Sequence, residues 1–152
     1  MFSESLKYGE YGEHAIWNLL NKQNEIRNVI DVRQDQGFQE KDIDFWIENQ
    51  ERQFRSIEVK TDFRAHETGN LAYELTTSGN VGCLEKTQAD IIIFFVPKSR
   101  QAYLIKTSVL REYVKQAHLD VVRMGDNATG YLLPIADLTK RKVINKTYNE
   151  VI

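Results

Sequence analysis

The sequence predicts an α/β domain built on a mixed β-sheet of about five strands with helices on both faces. Three features predict it. Ala15, Ile16, Leu19 and Leu20 recur at helical spacing within residues 10–23. Two stretches that alternate apolar and polar residues over much of their length, 41–48 and 53–60, follow and are joined by the polar Asn49, Gln50, Glu51 and Arg52, as in a hairpin. Later comes the six-residue apolar run Ile91–Val96, stopped by Pro97, which reads as a buried strand.

In chain order, the helix of residues 10–23 places Glu13 on the face of Ile16, Trp17 and Leu20, in what the periodicity makes its first turn, where the helix dipole favours an acid. Residues 28–32 read as a short extra strand, and residues 33–39, with Gly37, as a polar loop leading into the hairpin. Within the hairpin, Asp44, Trp46 and Glu48 share one strand face and Ile43, Phe45 and Ile47 the other, while Glu58 and Lys60 point the same way on the second strand. Pairing of the two strands brings Asp44 beside Glu58 and Lys60.

Beyond Lys60 a polar segment, 61–70, precedes a third strand in which Leu71, Tyr73 and Leu75 alternate with Ala72, Glu74 and Thr76. Glu74 could add a carboxylate to a site there, but such a residue is more often solvated at a sheet edge, so it stands outside the candidate set. The turn signal Ser78-Gly-Asn-Val-Gly82 opens a short helix ending near Gln88, followed by the buried strand. Residues 102–106 read as a fifth strand, and Thr107 or Ser108 is placed to cap a helix carrying Val109, Leu110, Tyr113, Val114 and Ala117. Residues 125–130 read as loop, 131–135 as a short strand, and Thr139–Lys142 with Lys146 as a basic tail.

Composition bounds the class. A chain of 152 residues with 41% hydrophobic content holds one core, so residues 1–152 are expected to form one domain. No run approaches a membrane span and the start lacks a secretory pattern, which predicts a soluble cytoplasmic protein. The single Cys83 excludes an internal disulfide and a multi-cysteine zinc site, and it reads as a packed residue rather than a nucleophile. Net charge is −2, with 9 basic and 15 acidic residues in 1–76 against 11 and 7 in 77–152. An acidic half able to hold a cation beside a basic half able to meet phosphates suits a nuclease.

Two carboxylates on rigid strands suit Mg²⁺, which keeps several waters and completes its shell with phosphate oxygens; Mn²⁺ is the expected substitute. A lysine beside them can orient a water or stabilise charge on phosphorus.

Asp44, Glu58 and Lys60 resemble the motif of the PD-(D/E)XK nuclease superfamily, an aspartate on one strand and Glu/Asp-x-Lys on the next. The likeness extends upstream through Tyr8-Gly-Glu-Tyr-Gly-Glu-His-Ala15, similar to the glycine-then-glutamate helix of archaeal Holliday-junction resolvases, and downstream to about Val96, where Gly82, Lys86, Ala89 and Asp90 look like a helix of phage-type members. Ile43 stands where a proline often precedes the aspartate. Asp42 shares a strand face with Asp44, so both remain candidate ligands, with Asp44 preferred because Phe45, Trp46 and Ile47 follow it.

The resemblance implies a restriction-endonuclease-like core and a Mg²⁺-dependent endodeoxyribonuclease. Asp44 and Glu58 would hold the metal, one ion or two, and Lys60 would stand at the attacking water. Glu13, with Glu10 as the alternative, would reach the metal directly or through water. Lys86, with Gln88 behind it, would face the nucleic-acid backbone. A homodimer is expected for work on duplex or branched DNA, with Tyr103 and Tyr131 as exposed aromatic candidates. The alternative from another class is a catalytically inactive nucleic-acid-binding or assembly protein of the same fold.

Overall fold

The computed structural model describes residues 2–125 and 127–152, with side chains from residue 7 onward. Helix α1 (Phe2–Asn21) leads into a first sheet made of β1 (Ile26–Asp31), β2 (Phe45–Asn49), β3 (Phe54–Thr61), β6 (Ile91–Val96), β7 (Gln101–Lys106) and β10 (Lys146–Tyr148), in the order β1-β2-β3-β6-β7-β10. A second, four-stranded sheet has β4 (Asn70–Thr77), β5 (Asn80–Val81), β8 (Val122–Met124) and β9 (Ala128–Pro134), in the order β5-β4-β9-β8. Short helices α2 (Gln36–Gln39), α3 (Ala65–Thr68), α4 (Cys83–Lys86) and α6 (Ile135–Lys140), with the longer α5 (Thr107–Gln116), fill the connections.

The first sheet is mixed because β3 and β6 run parallel while its other neighbours are antiparallel. Every residue of β6 is buried, as expected for a strand covered on both faces. Ile91, Ile93 and Phe95 pack with Ala15, Ile16 and Leu20 of α1, whereas Ile92, Phe94 and Val96 pack with Leu71, Tyr73, Leu84, Leu110 and Leu133. Glu58 and Lys60 lie beside Ile92 and Phe94 in the parallel register, so they face the second sheet.

Several expectations are corrected. The main sheet has six strands rather than about five. One face is covered by α1, but the other is covered chiefly by a second sheet, with α5 and α6, instead of by helices alone. Residues 71–76, expected in the main sheet, form β4 of that cover, because their partner β9 lies more than fifty residues downstream. Residues 128–130, expected as loop, belong to β9. Thr107 does not cap α5: its Oγ1 is buried with no hydrogen-bond partner, and Lys106 at the cap position makes no side-chain bond. The basic tail is folded, with Lys146 paired to Glu25 at 2.6 Å and Arg141 to Asp137 at 3.2 Å. Tyr103 is only 6% exposed and Tyr131 is half-buried beside Tyr73, so neither offers an open aromatic surface to a second subunit.

Helix α1 starts at Phe2, not near residue 10, so Glu13 sits mid-helix and the dipole argument for it lapses. What fixes Glu13 is the close crossing of α1 over β3. A Cβ on Gly12 would stand 1.7 Å from Thr61 Oγ1 and 2.9 Å from Thr61 Cβ. Gly12→Ala is therefore expected to cost about 1–3 kcal/mol despite the better helix propensity of alanine, a sign that denaturant melting checks.

Candidate functional site

β2 stops at Phe45, whereas β3 runs on to Thr61, so the last residues of β3 have no β2 partner. The Asp44 amide donates to the Ile57 carbonyl at 2.8 Å, and Asp44 then turns its carboxylate along β3, where Oδ2 accepts from the Val59 amide at 2.8 Å. One carboxylate oxygen thus replaces the missing ladder bond. The approach to β2 is tied in place by the Thr87 hydroxyl donating to the Asp42 carbonyl at 3.0 Å and the Gln88 amide donating to the Lys41 carbonyl at 2.9 Å.

Around this strand end lies a cavity of about 490 Å³ lined by Glu13, Asp44, Glu58, Lys60 and Glu74, with Tyr8, Gly9 and Phe63 at one side. Glu13 enters from α1, Asp44 from the position just before β2, Glu58 from β3, and Glu74 from the second sheet. Glu58 is 6% exposed, and Lys60 Nζ lies 3.3 Å from its Oε1. The ammonium also donates to Cys83 Sγ at 2.6 Å, and the Cys83 thiol donates to Glu74 Oε2 at 3.1 Å.

Electrostatically the cavity is crowded with acids. Burial, then the nearby Asp44 carboxyl, lifts the Glu13 carboxyl to about 7. Asp44 is also raised, chiefly by burial, although the Val59 amide, the neighbouring Glu13 carboxyl and the Lys60 charge oppose the shift. Burial pushes Glu58 up to about 8 even with Lys60 beside it. Lys60 moves the other way for its charge: burial favours its neutral form, but Glu58 and Cys83 outweigh that and hold it protonated. Burial raises the Cys83 thiol to about 11, so it is no nucleophile near neutrality.

Of the residues singled out in the sequence, Glu13, Asp44, Glu58 and Lys60 meet around this cavity; Lys86 and Gln88 do not line it. Lys86 Nζ is 3.8 Å from Asp42 Oδ2, and Gln88 is exposed. Asp42 takes a left-handed backbone (φ 56°), which breaks the strand alternation and turns it toward Lys86 rather than into the cavity. Glu10 is exposed and also lies outside.

Sequence reasoning left Glu74 and Cys83 out of the site. Both arrive through the second sheet, since Gly82 packs so tightly on β4 that a Cβ there would meet the Glu74 carbonyl oxygen at 2.5 Å. Arg111 of α5 then fastens α4 by donating to the carbonyls of Leu84, Glu85 and Thr87. The only local hint was Glu74 itself, alternating with Tyr73 and Leu75.

Among the described residues, no three His, Cys, Asp or Glu side chains converge tightly enough to enclose an ion. The donor set nevertheless fits a hard divalent cation bound by few protein ligands: oxygen-only carboxylates, buried, with protonation favoured where no cation offsets their charge. Among the same residues, no helix is long and apolar enough to cross a membrane.

No model of a known protein family matches this chain, and no curated protein matches it in sequence. Among solved structures it is similar to that of the bacterial homing endonuclease I-Ssp6803I, with a TM-score of 0.51 and 16% identity over 70% of this chain and 67% of that one. At that identity the likeness is one of fold, a mixed α/β architecture.

Proposed function

We propose that this protein is a metal-dependent nuclease of the PD-(D/E)XK type that hydrolyses phosphodiester bonds in DNA. The observation that carries the reading is the meeting of Glu13, Asp44, Glu58 and Lys60, from three separate elements, around one cavity. The fold likeness to a homing endonuclease supports it coarsely.

Asp44 and Glu58 would hold Mg²⁺, or Mn²⁺ in its place, with Glu13 assisting. Asp44 keeps one oxygen on the Val59 amide and presents the other, so its carboxylate is oriented before any ligand arrives. A bound Mg²⁺ supplies polarisation of a phosphoryl oxygen and acidification of a water. Lys60, being protonated, cannot accept a proton. Its role is to donate hydrogen bonds that orient the attacking water or stabilise charge growing on the phosphate. Glu58 and Cys83 fix where that ammonium stands.

Calorimetry separates this reading from a binding protein that uses the carboxylates only structurally. Titration with Mn²⁺ is expected to give a signal that Asp44→Asn removes. Absence of any Asp44-dependent metal binding would favour the binding protein.

A further inference from the structure

Against the carboxylate cavity, and sharing Tyr8 and Phe63 with it, lies a second hollow of about 510 Å³ lined also by Lys7, Tyr11, Pro97 and Lys98. Tyr8 and Tyr11 are 52% and 53% exposed, the most exposed aromatic side chains among the described residues. They stand three residues apart on α1, hence on neighbouring positions of one helix face. Among the described residues each ring has one aromatic neighbour. Tyr8 leans on Phe63 with ring centroids 4.6 Å apart and planes at 55°, and Tyr11 on the buried Phe95 at 6.1 Å and 35°.

The helix face that buries Ala15, Ile16 and Leu20 farther along does not bury these two rings, so core packing does not account for them. Lys7 and Lys98, both exposed, set two ammonium groups at the edge of the hollow. Aromatic faces flanked by cations beside a phosphodiester site match a nucleotide strand, with bases stacking on the rings and phosphates meeting the lysines.

In duplex DNA the base faces are hidden in the stack, so such a surface can be used only by a base that is already unpaired or is pulled from its helix. We infer that Tyr8, Tyr11 and Phe63, with Lys7 and Lys98, form a stacking platform for an unpaired nucleotide next to the phosphodiester in the carboxylate cavity. The substrate class is then DNA with a single-stranded, frayed or flapped segment at the cutting point rather than continuous duplex. This inference rests on the nucleic-acid reading of the neighbouring cavity.

The test is binding in EDTA, so that cleavage does not intrude, to DNA carrying 2-aminopurine in a short single-stranded overhang and to the same DNA as a blunt duplex. The wild-type protein should quench the overhang fluorescence. Tyr11→Leu should weaken overhang binding by about tenfold and blunt-duplex binding by less than about twofold, within the range of one lost base–aromatic stack. Tyr11→Phe, which keeps the ring, should bind as wild type, and this contrast separates stacking from misfolding. Lys98→Gln should weaken both substrates and lower the salt slope of binding by about one.

Equal loss on both substrates, no loss on either, or Tyr11-dependent self-association in place of DNA binding would overturn the platform. The two readings fail separately. Tyr11-dependent overhang binding by a protein that cuts nothing with Mg²⁺ or Mn²⁺ keeps the platform and removes the nuclease. Cleavage indifferent to Tyr11 removes the platform alone.

Discussion

Replacing Lys60 with alanine is expected to lower DNA cleavage by at least about 10²–10³-fold while leaving divalent-cation binding intact or tighter. The ammonium lies 3.3 Å from Glu58 Oε1, so in the metal-free protein it is the counter-charge of the carboxylate expected to bind the cation. Removing it frees Glu58 of a competitor and cannot remove a ligand, since a protonated amine does not coordinate metal. What is lost is the group that donates to the water or the phosphate. Lys60→Met, which retains most of the apolar stem without the ammonium, should show the same split and so separates charge from volume. Cleavage assays beside calorimetry with Mn²⁺ check both, and parallel loss of cleavage and metal binding would give the lysine a structural role.

Glu58→Gln should abolish metal-dependent cleavage and at the same time stabilise the metal-free protein at alkaline pH. Glu58 is pushed from 4.5 to about 8 in the folded chain, first by burial. Between these values the folded state holds a proton that the unfolded state has released, so stability falls as pH rises from about 4.5 through 8. Above pH 8 a buried carboxylate remains charged at a cost that the amide does not bear. The difference is on the order of 2–4 kcal/mol, or roughly 5–15 °C in melting temperature, for wild type against Glu58→Gln at pH 9 in EDTA. At pH 4 the two proteins should melt together. Mg²⁺ should recover the loss in wild type, because a ligand bound only to the folded state stabilises it, and should leave the variant unmoved. Melting curves over pH 4–9, with and without Mg²⁺, read all three effects.

The parts of this fold that the sequence announces are those set by local pattern. Helical spacing of Ala15, Ile16, Leu19 and Leu20 marks α1, and the alternation of Ile57, Glu58, Val59 and Lys60 marks β3, with Glu58 and Lys60 on one side. The backbone of α1 begins well before Ala15, Ile16, Leu19 and Leu20, the apolar stripe that marks the helix, so that stripe carries no sign of where the helix starts.

The second sheet was not legible for a different reason. β4 alternates as any half-buried strand does, and nothing near it tells that its partner is β9 rather than β3. Pairings so distant in sequence leave no local trace. Everything that depends on them was hidden too: the burial of Tyr103, the arrival of Glu74 at the cavity, and the contact of Cys83 with Lys60. Asp42 and Asp44 could not be separated from alternation alone, because the left-handed turn at Asp42 interrupts the strand period just where the choice had to be made.

The most direct test is incubation of wild type and Asp44→Asn with a panel of end-labelled DNAs, blunt, overhung, flapped and branched, in Mg²⁺, in Mn²⁺ and in EDTA. The expected result is cleavage of at least one substrate by wild type with either metal, none in EDTA, and none by Asp44→Asn under any condition. Cleavage that persists in EDTA or in Asp44→Asn, or no cleavage of any substrate by wild type with either metal, would contradict a metal-dependent nuclease centred on Asp44, Glu58 and Lys60.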